Sequence, residues 1–419
     1  MSDCPKPTPR QLEYQDWELG LFMHFGIRTF HEGHGDWDGK CMSPENFMPT
    51  QLDCNQWAGV AKQAGFKYAV LTAKHHDGFA NWPSKSARVS VAASPWKNGK
   101  GDVIREYVEA FRSHGLGVGL YYSPAEWGRA DFQKDSKAYD DYFINQISEL
   151  LEPYGPIDLL WFDGCGSAGH QYDWPRIVAE IRRMQPNLLI FNMGQPDIRW
   201  VGNEEGFAPV PIWNVVDPAD VPGDTTMKKQ SGGRKWLPAE CDCRLRGYNW
   251  FYSDADEDSI KSVDVLMGMY YCSVGRGCNL LINVGPDRRG LLPDKDAARL
   301  IEFGREIRRR FSRPIATLGD FRRIEENCWL YQIDGLFDVD HVVVQEDISR
   351  GEHVRAFRVE FPVPPGITLY EGRNIGHKAI CRFPLVRRNK LIFRVLDCDG
   401  PVHLRSLELF DCRPKPRPC

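Results

Sequence analysis

The side chains best suited to chemistry in this sequence sit where apolar runs stop. The run Ile157-Asp158-Leu159-Leu160-Trp161-Phe162 ends abruptly in Asp163-Gly164. Its apolar character predicts a strand buried on both faces, as in a parallel sheet. In a (β/α) barrel the C-terminal ends of such strands carry the active site. A carboxylate placed there, beside Trp161 and Phe162, could act as a nucleophile in an aromatic-walled pocket. Asp-Gly is also a common turn pair, so Asp163 alone admits a purely conformational use. Three further runs end in the same manner: Leu21-Phe22-Met23-His24-Phe25-Gly26, Ala73-Lys74-His75-His76-Asp77-Gly78-Phe79 and Leu120-Tyr121-Tyr122-Ser123-Pro124. A lone histidine after a strand is commonly a core residue. Four polar endings of this kind, two with histidine, point to one shared site.

A second carboxyl group would supply acid–base chemistry. Glu204, Glu205, Glu240 and Asp242 are the available ones, all within residues 195–258. That segment is rich in Pro, Gly, Trp and Asp with little helical period, and long loops in compact domains are usually functional. His75-His76-Asp77 invites a metal reading. Adjacent strand residues point to opposite faces, however, and zinc would want a third protein ligand. Hydrogen bonding to sugar hydroxyls needs no such convergence, so no metal is expected. The 13 tryptophans fit this use, being flat apolar platforms that also donate a hydrogen bond.

These side chains need a frame. From residue 19 to about 312 apolar runs alternate with amphipathic stretches, the pattern of βα units. Strands are expected at Gly20–Phe25, Tyr68–Ala73, Gly117–Tyr122, Leu159–Phe162, Leu188–Asn192, Trp236–Ala239 and Leu280–Val284. Helices are expected at Asn55–Ala64, Val103–Ser113, Lys137–Leu151, Pro175–Met184, Ser259–Tyr271 and Asp296–Phe311. Beyond residue 315 the pattern becomes alternating runs separated by turn clusters, which predicts a β-sandwich. The fold class is therefore α/β, a TIM-like (β/α) barrel over residues 1–314 followed by a C-terminal β-sandwich over residues 315–419.

Composition narrows the partners. A formal net charge of −4 gives no electrostatic case for nucleic acid. No stretch approaches the roughly 18 apolar residues of a membrane span. The start of the chain has no apolar signal-like region, and its 13 cysteines are scattered, often inside apolar runs. Both features suit reduced thiols and a cytoplasmic location. Cys241-Asp242-Cys243 has the wrong spacing for a zinc knuckle.

Several phrases together resemble one family. They are Met23-His24-Phe25-Gly26, Lys74-His75-His76-Asp77-Gly78-Phe79, Ser94-Pro95-Trp96-Lys97 through Gly99-Lys100-Gly101-Asp102, and Trp161-Phe162-Asp163-Gly164. Arg199-Trp200-Val201-Gly202-Asn203-Glu204, Pro238-Ala239-Glu240 and Asn279-Leu280-Leu281-Ile282-Asn283-Val284-Gly285-Pro286 extend the likeness. In this order they resemble the α-L-fucosidases of glycoside hydrolase family 29, and the Arg199–Glu204 phrase resembles the branch acting on α-1,3/1,4-linked fucose.

The resemblance implies an imperfect barrel and a retaining exo-α-L-fucosidase that releases L-fucose from fucosylated glycans without a cofactor. It implies Asp163 as nucleophile and Glu204 as acid/base, with Glu240 the second choice. His24, His75 and His76 would bind fucose hydroxyls; Trp161 and Tyr122, with Tyr121 the alternative, would line the pocket. Trp37, Arg199 and Glu240 complete the implied substrate contacts. Two phrases depart from the pattern. Asp36 stands beside Trp37 where the branch usually has glutamate, and Arg244-Leu245-Arg246-Gly247-Tyr248-Asn249-Trp250 differs from the usual Arg-Pro-Gly-Trp. The competing reading is a non-catalytic protein that binds fucosylated glycans through a decayed barrel.

Overall fold

The computed structural model describes residues 5–31, 40–221, 233–362 and 366–414. Its first layer consists of eight strands: β1 (Leu19–Met23), β2 (Tyr68–Lys74), β3 (Gly117–Tyr122), β4 (Leu159–Phe162), β5 (Leu189–Phe191), β6 (Arg199–Trp200), β7 (Ala239–Arg244) and β8 (Asn279–Asn283). They pair in parallel in the order β5-β4-β3-β2-β1-β8-β7-β6. A lone parallel bridge, Phe191 to Ile198, joins the two ends of that row and closes the barrel.

Eight helices accompany the strands: α1 (Pro9–Trp17), α2 (Cys54–Ala64), α3 (Val103–Ser113), α4 (Ala130–Lys134), α5 (Ser136–Leu151), α6 (Trp174–Met184), α7 (Val263–Cys272) and α8 (Asp294–Phe311). Aspartates start four of them. Asp53, Asp102, Asp135 and Asp173 each accept backbone N–H groups at the first turn of α2, α3, α5 and α6. Such a cap contributes about 1 kcal/mol and ends each βα loop at a defined residue. Among the described residues no α-helix follows β5 or β6, so the helical ring has a gap there.

The pleat divides the barrel side chains in two. Leu21, Met23, Leu71, Leu120, Tyr122, Leu160, Phe162, Ile190 and Ile282 face outward, into one core with the helices. Phe22, Val70, Tyr121, Leu159, Trp161, Phe191, Ile198 and Leu281 face inward and meet one another along the axis. Tyr14 of α1 joins this inner cluster from the N-terminal end of the strands. The expected strand at Trp236–Ala239 is displaced. Trp236 pairs with Val215 in a small antiparallel ribbon, and the barrel strand begins at Ala239.

The second layer is antiparallel: β9 (Arg322–Glu325), β10 (Cys328–Glu346), β11 (Val354–Phe361), β12 (Ile367–Gly372), β13 (Ala379–Cys398) and β14 (Leu404–Phe410). Register breaks at Gln332/Phe337 and Val339/His341 interrupt the long β10–β13 ladder, where such irregularities let a sheet fold over its own core. Val343, Ile380 and Phe410 of this layer pack into the barrel's outer core. His341 Nε2 lies 2.9 Å from the Tyr271 hydroxyl of α7, to which Arg310 of α8 donates at 2.9 Å.

Candidate active site

The C-terminal ends of the barrel strands converge on one cavity of about 670 Å³. His24, His75, His76, Tyr121, Trp161 and Asp163 line it from β1 to β4. Asn192, Trp200, Glu204 and Asp242 line it from β5 to β7, and Arg244, Tyr248, Asn249 and Trp250 form the rim.

Asp163 lies two residues after Trp161, so the pleat turns both to the barrel axis. The Asp-Gly turn itself orients the Asp163 carboxylate: Oδ1 accepts the Cys165 N–H at 2.8 Å. The other oxygen accepts the Tyr121 hydroxyl at 2.8 Å, and His76 Nε2 is 3.5 Å from it. Burial would push this carboxyl up. The His76 imidazolium, with the Cys165 N–H and the Tyr121 hydroxyl, outweighs burial and holds it below the usual carboxylate range. For His76 burial opposes the charge, yet Asp163 and the Cys165 thiol raise it to about 9. An ion pair results, and Asp163 is held unprotonated.

Glu204 shares the cavity but has the opposite bias. Partial burial pushes its carboxyl up; Arg244 pulls it down, Asp163 and Glu205 push it up, and the net is upward. Two carboxyl groups pushed apart in this way have the acid and base roles assigned between them. Asp242 is also raised, by burial and by Glu204 and Glu240, against one hydrogen bond from Trp200 Nε1 at 2.7 Å.

Two histidines stay neutral. Burial lowers His24 to about 3. Asn283 donates from Nδ2 to Trp250 O at 2.7 Å, which turns its Oδ1 to His24 Nδ1, also at 2.7 Å. His24 therefore carries its proton on Nδ1 and presents Nε2 as an acceptor. Burial and the nearby His76, His24 and Arg28 lower His75 well below its ordinary value. Its buried Nδ1 has no hydrogen-bond partner among the described residues. Its ring stacks on Tyr121 with centroids 5.3 Å apart.

Because β2 stops at Lys74, strand alternation no longer separates His75 from His76, and both rings reach the cavity. Their donor atoms and an Asp163 oxygen lie within 4.8 Å of one another, as do donors of Asp340, His341 and Cys412 in the second layer. In the cavity, the Asp163 oxygen that faces His76 Nε2 at 3.5 Å already accepts the Tyr121 hydroxyl. In the second cluster Asp340 already accepts from His341 Nδ1 and the Cys412 N–H.

Three expected contacts are corrected. Tyr122 lies on the outer face, where its hydroxyl donates to Gln146 at 2.6 Å and receives Lys74 Nζ at 3.1 Å. Tyr121, one residue earlier, faces the cavity. Arg199 points away from it as well, donating to Leu237 O and Trp213 O, both at 3.1 Å, while the adjacent Trp200 faces in. Glu240 lies below the cavity and has no exposed surface. It accepts from Tyr14, Tyr68 and Trp161 at 2.5, 2.6 and 2.8 Å, so it can neither touch substrate nor shuttle protons. Trp37 lies outside the described residues. Asp242, one of the candidate carboxyl groups, does line the cavity; Trp200 lines it too, and its signal was its alternation with the outward-facing Arg199.

The profile of the alpha-L-fucosidase family matches residues 5–309. The chain is 32% identical to Alpha-L-fucosidase 1 of Arabidopsis thaliana over 94% of its length and 85% of the relative's. The solved structure of a glycoside hydrolase 29 family member from an unknown rumen bacterium superposes with a TM-score of 0.87 at 34% identity, covering 99% of this chain and 78% of that one. A Ruminococcus gnavus glycoside hydrolase 29 fucosidase in complex with fucose superposes with a TM-score of 0.85 at 25% identity, covering 97% of this chain and 95% of that one. With the barrel, the sandwich layer and the paired carboxyl groups in place, the chain belongs to the alpha-L-fucosidase family of glycoside hydrolases.

Proposed function

We propose that the protein is a retaining exo-α-L-fucosidase acting on α-1,3/1,4-fucosylated glycans. The observation that carries this reading is the opposed bias of two carboxyl groups in one cavity, Asp163 held ionised and Glu204 held toward its protonated form. In the first step Asp163 attacks the anomeric carbon while Glu204 protonates the departing oxygen. In the second step Glu204 takes a proton from water, which releases fucose and restores Asp163. His24 and His75 hydrogen-bond the sugar hydroxyls. Trp161 and Phe22 supply the apolar wall, and the aromatic rim at Tyr248 and Trp250 has room for the rest of the glycan. The linkage preference rests on the Arg199–Glu204 phrase, of which Trp200 and Glu204 are the cavity-facing members.

The variant Glu204→Ala tests the assignment. An activated aryl fucoside needs little proton assistance, so it still loads Asp163, and the fucosyl-enzyme accumulates for want of a base. Azide, attacking the β-linked fucosyl-enzyme from the opposite face, restores turnover and yields α-fucosyl azide; without azide, mass spectrometry finds the sugar on the peptide containing Asp163. A sugar on any other carboxylate, or a β-configured azide product, refutes the retaining assignment. Azide rescue in Asp242→Ala instead of Glu204→Ala transfers the acid/base role to Asp242, which also lines the cavity. Faster cleavage of aryl fucosides than of a branched α-1,3/1,4-fucosylated trisaccharide refutes the linkage assignment.

A further inference from the structure

Ser123 is buried immediately after β3, and its backbone N–H donates to Lys74 O at 2.9 Å. This ties β3 to β2 at the point where His76 leaves the sheet. The Ser123 hydroxyl donates to Ala125 O at 2.6 Å. A hydroxyl has one proton, so toward any other neighbour Ser123 can only accept. That neighbour is His76 Nδ1, at 2.5 Å, which must therefore carry a hydrogen. On the far side of the ring Nε2 lies 3.5 Å from Asp163 Oδ2, where a lone pair would face a carboxylate. Nε2 must carry a hydrogen too. Trp127 stacks on the imidazole with centroids 5.1 Å apart and planes 12° apart, which keeps the ring in this orientation.

We propose that Ser123 is a positioning residue: by accepting from Nδ1 it holds His76 doubly protonated, so that a full positive charge always faces the nucleophile Asp163. The groups that share this environment are Asp163 and Cys165 after β4, His75 and Asp77 on the same segment, and His24 from β1. Glu126, on the loop carrying Trp127, is turned to Lys74 and Tyr142. The catalytic consequence rests on the retaining reading. Asp163 must depart as a carboxylate in the second step, and the imidazolium stabilises it as it leaves.

The test is a nitrogen-15 NMR titration of the His76 imidazole in the full-length protein, the wild type against Ser123→Ala and Ser123→Thr. In the wild type the ring keeps its second proton to about pH 9. In Ser123→Ala the neutral Nε2–H tautomer becomes available, and the midpoint falls by at least about one unit, a tenfold weaker hold on the proton. Ser123→Thr, which keeps the hydroxyl, restores it. An unchanged midpoint in Ser123→Ala overturns the proposal, as does a midpoint that stays low in Ser123→Thr. Should Ser123→Ala fail to fold, Ser123→Cys, whose sulfur accepts weakly, takes the same measurement. On an aryl fucoside, Ser123→Ala lowers kcat and KM together because the fucosyl-enzyme accumulates. A shifted His76 midpoint with no trappable intermediate would leave the Ser123 assignment standing and remove the retaining reading.

Discussion

Two tiers of polar side chains stack inside this barrel, and β7 shows them side by side. Glu240 and Asp242 sit on one strand and one face, about 7 Å apart along the pleat. The lower carboxyl is filled: two tyrosine hydroxyls and an indole N–H surround Glu240. The upper one has Trp200 as its hydrogen-bond partner and faces the cavity. The same contrast separates Tyr68, committed to Glu240, from the Nδ1 of His75, which has no hydrogen-bond partner among the described residues. Burial and charge therefore do not distinguish scaffold from chemistry here. Unused hydrogen-bonding capacity does. The lower tier uses polar groups for cohesion, and the upper tier keeps capacity open for a ligand.

The sharpest way to break this contrast is to remove one charge from each tier. Asp163→Asn should cost at least ~10⁴-fold in kcat/KM with thermal stability nearly unchanged. Glu240→Gln should do the reverse, lowering stability by about 2 kcal/mol in denaturant titration while kcat/KM stays within about tenfold. Equal kinetic losses in the two variants would erase the distinction between the tiers.

The neighbouring tyrosines give a smaller effect. Tyr121→Phe removes a donor from Asp163, so that carboxyl rises toward its ordinary value. The acid limb of the pH–rate profile then moves to higher pH, and kcat falls by about tenfold. Tyr122→Phe should leave that profile alone and cost about 1 kcal/mol of stability through its lost outer-face hydrogen bonds. Arg244→Met is subtler. Arg244 holds the Glu204 carboxyl down, so its loss lets that carboxyl rise further. The acid must be protonated in the first step, and the alkaline limb of kcat/KM therefore shifts upward, by less than about one unit. The smallest effect belongs to Tyr248, 74% exposed at the rim. Tyr248→Ala should raise KM for a branched glycan a few-fold, about 1 kcal/mol, and leave KM for an aryl fucoside unchanged.

Most of the frame was legible because its signals are local. Val103–Ser113 was read to the residue, helped by its aspartate cap and amphipathic period. The strands β2, β3, β4 and β8 announced themselves as apolar runs. β7 did not, because its inward face carries Glu240, Asp242 and Arg244, and a search for apolar runs slides past it to Trp236. β6 is two residues long and offers no period to detect. Side-chain direction was harder still. Tyr121 and Tyr122 are chemically identical neighbours, and only the register of β3 against β2 and β4 says which faces the axis. Arg199 and Trp200 pose the same problem. Which polar residues share the cavity was legible wherever a strand end fixed them, as with Asp163, His24, His75 and His76.

The bridge between Phe191 and Ile198 works as a clasp on the barrel. Ile198 N–H to Ile190 O at 3.2 Å and Asn192 N–H to Ile198 O at 2.9 Å hold it, beside Asn192 in a left-handed conformation and beneath the gap in the helical ring. Asp163 stands on one side of this clasp, after β4, and Glu204 on the other, after β6. The long way round passes through every other strand. The proposed retaining reaction would need the two carboxyl groups about 5–5.5 Å apart, and that separation is set across a join of the ring made by a single bridge. Local opening there costs less than global unfolding. The amides of Asn192 and Ile198 should accordingly be the first of the ring to exchange their hydrogens with solvent, and each opening would uncouple the two halves of the proposed catalytic pair.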